Sequence, residues 1–338
     1  MEHIVGIDLH ASNGYYGIIE LTGKRVFQKR LANDLPSVLS ALQPYKESIT
    51  SIVVESTYNW YWLVDGLKEN GYPVHLANPG GFKPYRGLKH ADDKSDAFFL
   101  TELKRHGILP EGYIYPKEER AIRDLLRRRM FLVQQRTSHI LSFQALLSRQ
   151  TGKAISSNAI RKLPEGEVQQ FFDDEHLVLS GEINIALIQY LTVQIRRIEQ
   201  AVLKRIEVQA AYKKLKTVPG IGDILALTIM LETGAIDRFA GVGNYASYCR
   251  CVKSTYTSNQ KKKGEGNRKN GNKYLEWAYV EAANFARRFC PEAQQYYQRK
   301  MARTNKIVAT KSLAAKLCKA SYFIMRDQVA FKIEKIFG

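Results

Sequence analysis

Four carboxylates stand where they could share a divalent cation. Asp8 closes the apolar run Ile4-Val5-Gly6-Ile7, and Glu55 closes Ser51-Ile52-Val53-Val54. Asp93 and Asp96 are spaced i and i+3 where a helical pattern begins, so they project from one face. Carboxylates on adjacent strand ends and a nearby helix can converge on a hard cation. Mg2+ (or Mn2+) takes oxygen ligands, keeps several waters and bridges to phosphate. Two such ions can hold both the attacking and the leaving oxygen of a phosphodiester. The acids also have plainer roles: Asp8 as a turn residue, Asp93 and Asp96 as favourable charges at a helix N-terminus. Glu55 is harder to set aside, because an acid ending a buried strand needs a partner. Asp92 adjoins Asp93 and would be the ligand in a shifted register.

The elements that must position these acids can be read from apolar spacing. Strand patterns cover 4–9, 15–21 and 25–31, the last two joined by Thr22-Gly23-Lys24. Asn33 or Asp34 can cap a helix over 35–45. A strand over 51–55, a helix over 60–70 and a strand over 73–77 follow, then the loop Asn78-Pro79-Gly80-Gly81 and a helix from about 93 to 105. Three strands in meander, then strands separated by helices, indicate a mixed α/β sheet of the ribonuclease-H kind. Long helical patterns then run over 118–149 and 182–212, separated by a polar, loop-like stretch at 153–175. Two such helices could form an antiparallel coiled-coil arm or a dimerisation stalk. The C-terminal part reads as mainly helical, with helices over 274–289 and from 311 to the end around a basic loop at 261–272. The expected domains are 1–117 (metal-binding sheet), 118–212 (helical arm) and 213–338 (basic helical domain), an α/β plus α organisation.

Charge divides along the same lines. The chain of 338 residues carries a formal net charge of +18. Residues 1–117 hold 13 basic and 13 acidic side chains, so the whole excess lies beyond residue 117. Residues 250–311 alone hold 15 basic and 4 acidic ones. Such a one-sided excess suits a polyanion, because each neutralised phosphate releases counterions. Lys261, Lys262, Lys263, Arg268, Lys269 and Lys273 are expected to contact phosphates, and Tyr248, Tyr256 and Tyr274 could stack on bases. Pro219-Gly220-Ile221-Gly222-Asp223 reads equally as a helix-hairpin-helix turn, with Gly220 and Gly222 cradling a phosphate, or as a plain glycine turn between packed helices. No run of eighteen apolar residues appears, no signal-peptide pattern opens the chain, and the four cysteines form no CxxC pair. A cytoplasmic, reduced protein without a membrane span or zinc site is expected.

Gly6-Ile7-Asp8, Val54-Glu55-Ser56-Thr57 and Asp93-Lys94-Ser95-Asp96-Ala97 resemble, in this order and spacing, the DEDD transposases of the IS one-ten insertion-sequence family, which are related to the Piv DNA invertases. The resemblance extends through the helical arm and the Val218–Gly222 element, nearly the whole chain. It implies an N-terminal domain similar to the RuvC Holliday-junction resolvase, and a DNA transposase or recombinase that cuts and rejoins strands through a covalent phosphoserine. The position matching the family's nucleophile is Ser258, in Tyr256-Thr257-Ser258-Asn259-Gln260, with Ser254 as the alternative. The family usually has glycine after this serine; Asn259 is a mild departure, because asparagine tolerates the left-handed conformation. The resemblance also implies a homo-oligomer and a structured noncoding guide RNA that pairs with donor and target DNA. The Arg-rich segment with Arg120, Arg123, Arg127, Arg128 and Arg129 is a candidate RNA contact, not distinguishable by sequence from a DNA contact or from helix-surface charge. An unguided invertase or junction nuclease fits the same chemistry. The Ile7-Asp8 strand also resembles that of actin-like ATPases and sugar kinases, but Leu9-His10-Ala11-Ser12 supplies no glycine-rich phosphate loop.

Overall fold

Apolar alternation in the first strand decides how the N-terminal unit is built. The computed structural model describes residues 1–82, 93–204, 210–252, 255–259, 261–265 and 270–338, with backbone alone at 255–258, 262 and 264–265. Within the first compact unit, Met1–Lys117, the strands are β1 (His3–Leu9), β2 (Asn13–Glu20), β3 (Arg25–Ala32), β4 (Ile49–Glu55), β5 (Val74–Ala77) and β6 (Glu111–Gly112). They form one six-stranded sheet in the order β3-β2-β1-β4-β5-β6. β1, β4 and β5 run parallel, while β2, β3 and β6 are antiparallel to their neighbours. This is the ribonuclease-H-like mixed sheet that the meander pattern indicated.

Each face of the sheet is covered by helices. Val5, Ile7 and Leu9 of β1 and Ile52 and Val54 of β4 pack with residues of α1 (Leu35–Leu42) and α2 (Tyr61–Glu69). Alternation turns Ile4, Gly6 and Asp8 of β1, and Val53 and Glu55 of β4, to the other face. There Ile4 packs on Phe98, and Val53 packs with Phe99, Leu100 and Leu103, all from α3 (Asp93–Arg105). Burying each of these side chains contributes about 1.5–3 kcal/mol. α3 lies close because Gly6 and Gly17 face each other across β1 and β2. A Cβ at Gly6 would come 2.0 Å from the carbonyl oxygen of Ala97. Asp34 rather than Asn33 caps α1, accepting from the Ser37 amide at 2.9 Å.

The second compact unit, Glu118–Gly338, is almost entirely helical. α4 spans Lys117–Thr151 and α6 spans Glu175–Lys204, with α5 (Ser157–Lys162) and a 3-10 segment (Glu165–Phe171) in the stretch expected to be a loop. Val168 and Phe172 pack there against Phe143 of α4 and Ile185 and Ile188 of α6, an apolar seam too sparse in sequence to show as a pattern. α6 begins at Glu175, seven residues before the expected start. It is also the one helix among the described residues long and apolar enough to cross a membrane, with mean hydropathy 1.2 over 18 residues. α7 (Ala210–Leu215), α8 (Asp223–Thr233) and α9 (Val242–Tyr248) follow, then a hairpin of β7 (Thr255–Ser258) and β8 (Lys261–Glu265). The basic segment expected to be a loop is therefore partly a strand. α10 (Lys273–Phe289), α11 (Pro291–Arg303), α12 (Lys306–Asp327) and α13 (Glu334–Phe337) complete the unit. α11 was not read from the sequence, and the helix expected from residue 311 begins at Lys306. Ala278, Ala282, Ala283 and Ala286 of α10 and Ala309 and Ala314 of α12 are buried, and such small side chains let helices approach closely.

Candidate metal centre and nucleic-acid surfaces

Parallel pairing sets the metal centre. Ile7 lies opposite Val54, so Asp8 and Glu55 end neighbouring strands, both on the α3 face. Asp8 is 6% exposed. Asp93 and Asp96 stand in the first turn of α3, as the spacing required, and there they also oppose the helix dipole. The side chains that converge most tightly are Asp8, Asp93 and His10, a residue the sequence reading passed over; their ligand atoms lie within 4.8 Å of one another. His10 Nε2 is 3.3 Å from Asp8 Oδ2 and 3.4 Å from Asp93 Oδ1. Arg30 on β3 donates to Asp93 Oδ2 at 2.6 Å. Glu55, on the same sheet face as Asp8, and Asp96, one turn along α3 from Asp93, are not members of this tight triad. The donor set of carboxylate oxygens with one imidazole suits a divalent cation. Asp92 lies outside the described residues.

In the second unit the serine expected to react is the last residue of β7. Ser258 pairs with Lys261, leaving two residues to turn the hairpin, and Thr255 pairs with Glu265. Asn259 has φ +49°, the left-handed conformation that the sequence allowed for it. Lys261 and Lys263 are exposed on β8. Lys273 is exposed at the first turn of α10, its Nζ 5.2 Å from the centre of the Tyr274 ring. Ser254, Arg268 and Lys269 lie outside the described residues, and of Lys262 only the backbone is described.

The arginines of α4 divide in a way the sequence reading did not foresee. Arg120 and Arg123 are 5% and 3% exposed. Arg127 forms a two-pronged pair with Glu232 of α8, at 2.5 and 2.8 Å. Asn272, which caps α10, donates to the same carboxylate at 2.7 Å. Burial disfavours the Arg127 charge, but the hydrogen bonds and charge of Glu232 outweigh it and raise the guanidinium's pKa. Arg129 pairs with Glu199 of α6 at 2.6 Å. Arg128 alone of Arg127, Arg128 and Arg129 is exposed. The reason is helical geometry: positions 120, 123 and 127 are spaced i, i+3 and i+7 and lie on one stripe of α4. A second basic surface went unread, a cleft of about 360 Å3 lined by Arg136, Arg161, Lys162, Thr192, Arg196 and Glu199. Its cations come from three helices and are dispersed in sequence. Burial and the neighbouring charges of Arg161 and Arg129 lower the pKa of Arg136, outweighing the opposing charge of Glu199.

At the turn before α8, Gly220 has φ +84° and faces the α10 backbone; a Cβ there would meet Ala282 O at 2.2 Å. Packing therefore demands this glycine. Gly222 caps α8 and has open space at its Cβ position. The next residue, Asp223, is held by Lys216 at 2.6 Å and by the Tyr212 hydroxyl at 2.5 Å.

Comparison with known proteins agrees with both halves. The DEDD transposase model of the IS110 group, described as "Transposase", matches residues 5–151. The model described as "Transposase IS116/IS110/IS902 family" matches residues 212–298. A Pseudomonas aeruginosa protein named "Probable family 20 transposase" is 24% identical over 247 residues, 68% of this chain and 69% of its own. A Coxiella burnetii protein named "Transposase for insertion sequence element IS1111A" is 22% identical over 298 residues, covering 83% and 76%. The ribonuclease-H-like sheet with this carboxylate edge is that of a DEDD transposase, an enzyme that cuts and rejoins DNA. The chain carries, over residues 5–151 and 212–298, the two domains that mark IS110-family insertion-sequence transposases.

Proposed function

We propose that the enzyme moves its element through a covalent phosphoserine at Ser258, with Asp8, Glu55, Asp93 and Asp96 holding divalent cations, under the guidance of a structured noncoding RNA. The observation that carries the metal reading is the convergence of Asp8 and Asp93 at the edge formed by the ends of β1 and β4. Ser258 Oγ displaces a hydroxyl from a DNA phosphorus, so an Oγ–P bond forms as a P–O bond breaks; a second DNA hydroxyl later reverses this and frees the serine. A bound cation supplies charge stabilisation for the departing oxygen. Placing Ser258 directly before the left-handed Asn259 turn, with Lys261 opposite it, supports this role. Residues 1–117, 118–212 and 213–338 act as catalytic domain, arm and serine-bearing domain.

Phosphate contacts come from Arg128, Lys261, Lys262, Lys263, Arg268, Lys269 and Lys273, with Gly222 at the open end of α8. Arg127, Arg129 and Gly220 join this set of expected phosphate contacts, with ion pairs and close packing as further roles. The exposed stripe Leu179, Ile183, Leu187, Tyr190 and Val193 on α6 recurs every three or four residues, which supports a helix-to-helix contact in a homo-oligomer. The test is recovery of bound nucleic acid from the purified protein, followed by DNA joining with Mg2+. A discrete RNA matching donor and target, with joining lost in Asp8→Ala and covalent adducts lost in Ser258→Ala, is the expected result. Adducts persisting in Ser258→Ala would reject the nucleophile. Cutting of DNA junctions without a specific RNA would indicate an unguided invertase or resolvase.

A further inference from the structure

His10 stands just past the end of β1, and its backbone is held by two other loops. Its carbonyl accepts from Asn59 Nδ2 at 2.8 Å and from Asn33 Nδ2 at 3.0 Å. Its amide donates to Asn13 O at 2.8 Å. Asn59 is itself held by the Thr57 hydroxyl at 2.9 Å, so the loops after β3 and β4 both fix the His10 backbone. The ring's buried Nε2 atom lies between two carboxylates, 3.3 and 3.4 Å away, without hydrogen-bond geometry to either. Arg30 meanwhile occupies the far oxygen of Asp93, leaving Oδ1 turned to His10.

These spacings suit ligands of one ion. A cation bound at about 2.1 Å separates adjacent ligand atoms by roughly 3.0 Å in an octahedron and roughly 3.4 Å in a tetrahedron.

We propose that His10 Nε2 is a nitrogen ligand of the cation held by Asp8 and Asp93, making this a mixed nitrogen–oxygen site rather than an all-carboxylate one. The inference rests on the metal reading above and adds a ligand outside the four acids. An imidazole ligand shifts preference from Mg2+ toward Mn2+, because nitrogen is a softer donor than carboxylate oxygen. His10 side chains are 40% exposed, so replacement leaves the core intact.

The experiment loads the full-length protein with MnCl2 and uses pulsed electron paramagnetic resonance to detect nitrogen coupled to the bound ion. Wild-type protein is expected to show 14N coupling, absent in His10→Ala and in His10→Gln. Mn2+ affinity, read from the free-ion signal, is expected to fall on the order of tenfold to a hundredfold, the range seen when a ligand's support is removed. The preference for Mn2+ over Mg2+ should narrow in both variants. Bound Mn2+ without 14N coupling, or coupling that persists in His10→Ala, overturns the histidine ligand and leaves the carboxylate site standing. Absence of Mn2+ binding to the wild type at millimolar concentration would instead overturn the metal site itself.

Discussion

Gly6→Ala is the substitution that most directly tests how the sheet delivers α3 to the metal centre. The added methyl would lie 2.0 Å from Ala97 O and 2.8 Å from Thr101 Cγ2. Carbon and oxygen approach normally to about 3.3 Å, so α3 must move by roughly 1.3 Å. Overpacking of this kind costs about 1–3 kcal/mol, and replacing a strand glycine returns about 0.5–1 kcal/mol. A net loss near 1 kcal/mol corresponds to a Tm lower by roughly 3–6 °C for a unit of this size. The same displacement moves Asp93 and Asp96 away from Asp8, and a misplacement of about 1 Å can reduce turnover on the order of a hundredfold. Differential scanning calorimetry and Mn2+ titration read the two effects separately. Gly222→Ala is the control, since its Cβ position is open and its φ of −89° suits any residue. If Gly6→Ala kept the wild-type Tm and Mn2+ affinity, the close seating of α3 on β1 would be refuted.

Glu232→Ala should destabilise the second unit by about 3–5 kcal/mol in urea titration, because it strands the Arg127 charge beside a carboxylate site only 1% exposed. Arg128→Ala should weaken nucleic-acid binding evenly across sequences and lower the salt slope by about 1, whereas Arg127→Ala should act first on stability. Charge reversal at Arg136 or Arg161 should likewise weaken polyanion binding in filter assays if the cleft between α4, α5 and α6 takes a phosphate. Burial and the Asp223 hydrogen bond push the Tyr212 phenol up to about 12. A raised folded pKa means stability that is present below the unfolded value near 10 and lost as pH rises through 12. Tyr212→Phe should abolish that alkaline loss, measured by denaturant midpoints between pH 9 and 12. Asp223 is lowered by Lys216 and Tyr212, so its contribution holds above pH 4 and fades in acid, and Asp223→Asn should flatten the acid limb.

By itself the sequence determined the sheet, its carboxylates and the charge division, because each is written in local spacing. Alternation along Ile4–Leu9 and Ser51–Glu55 specifies which side chains share a face, and the meander followed by crossovers restricts the strand order. Asp93 and Asp96 announce both a helix start and a shared face. Asn259 in a left-handed turn was likewise legible from residue type alone. Tertiary structure decided what depends on partners far along the chain. The closeness of His10 to Asp8 and Asp93 exists only in the folded chain, where Asn33 and Asn59, from two other loops, hold its backbone. Arg127 reads as free positive charge until a carboxylate 105 residues away is brought against it. The arginines of the cleft lie on three helices whose packing no single stretch records. Local periodicity orients a side chain toward a face, but burial, pairing and ligand geometry are set by what the folded chain places opposite it.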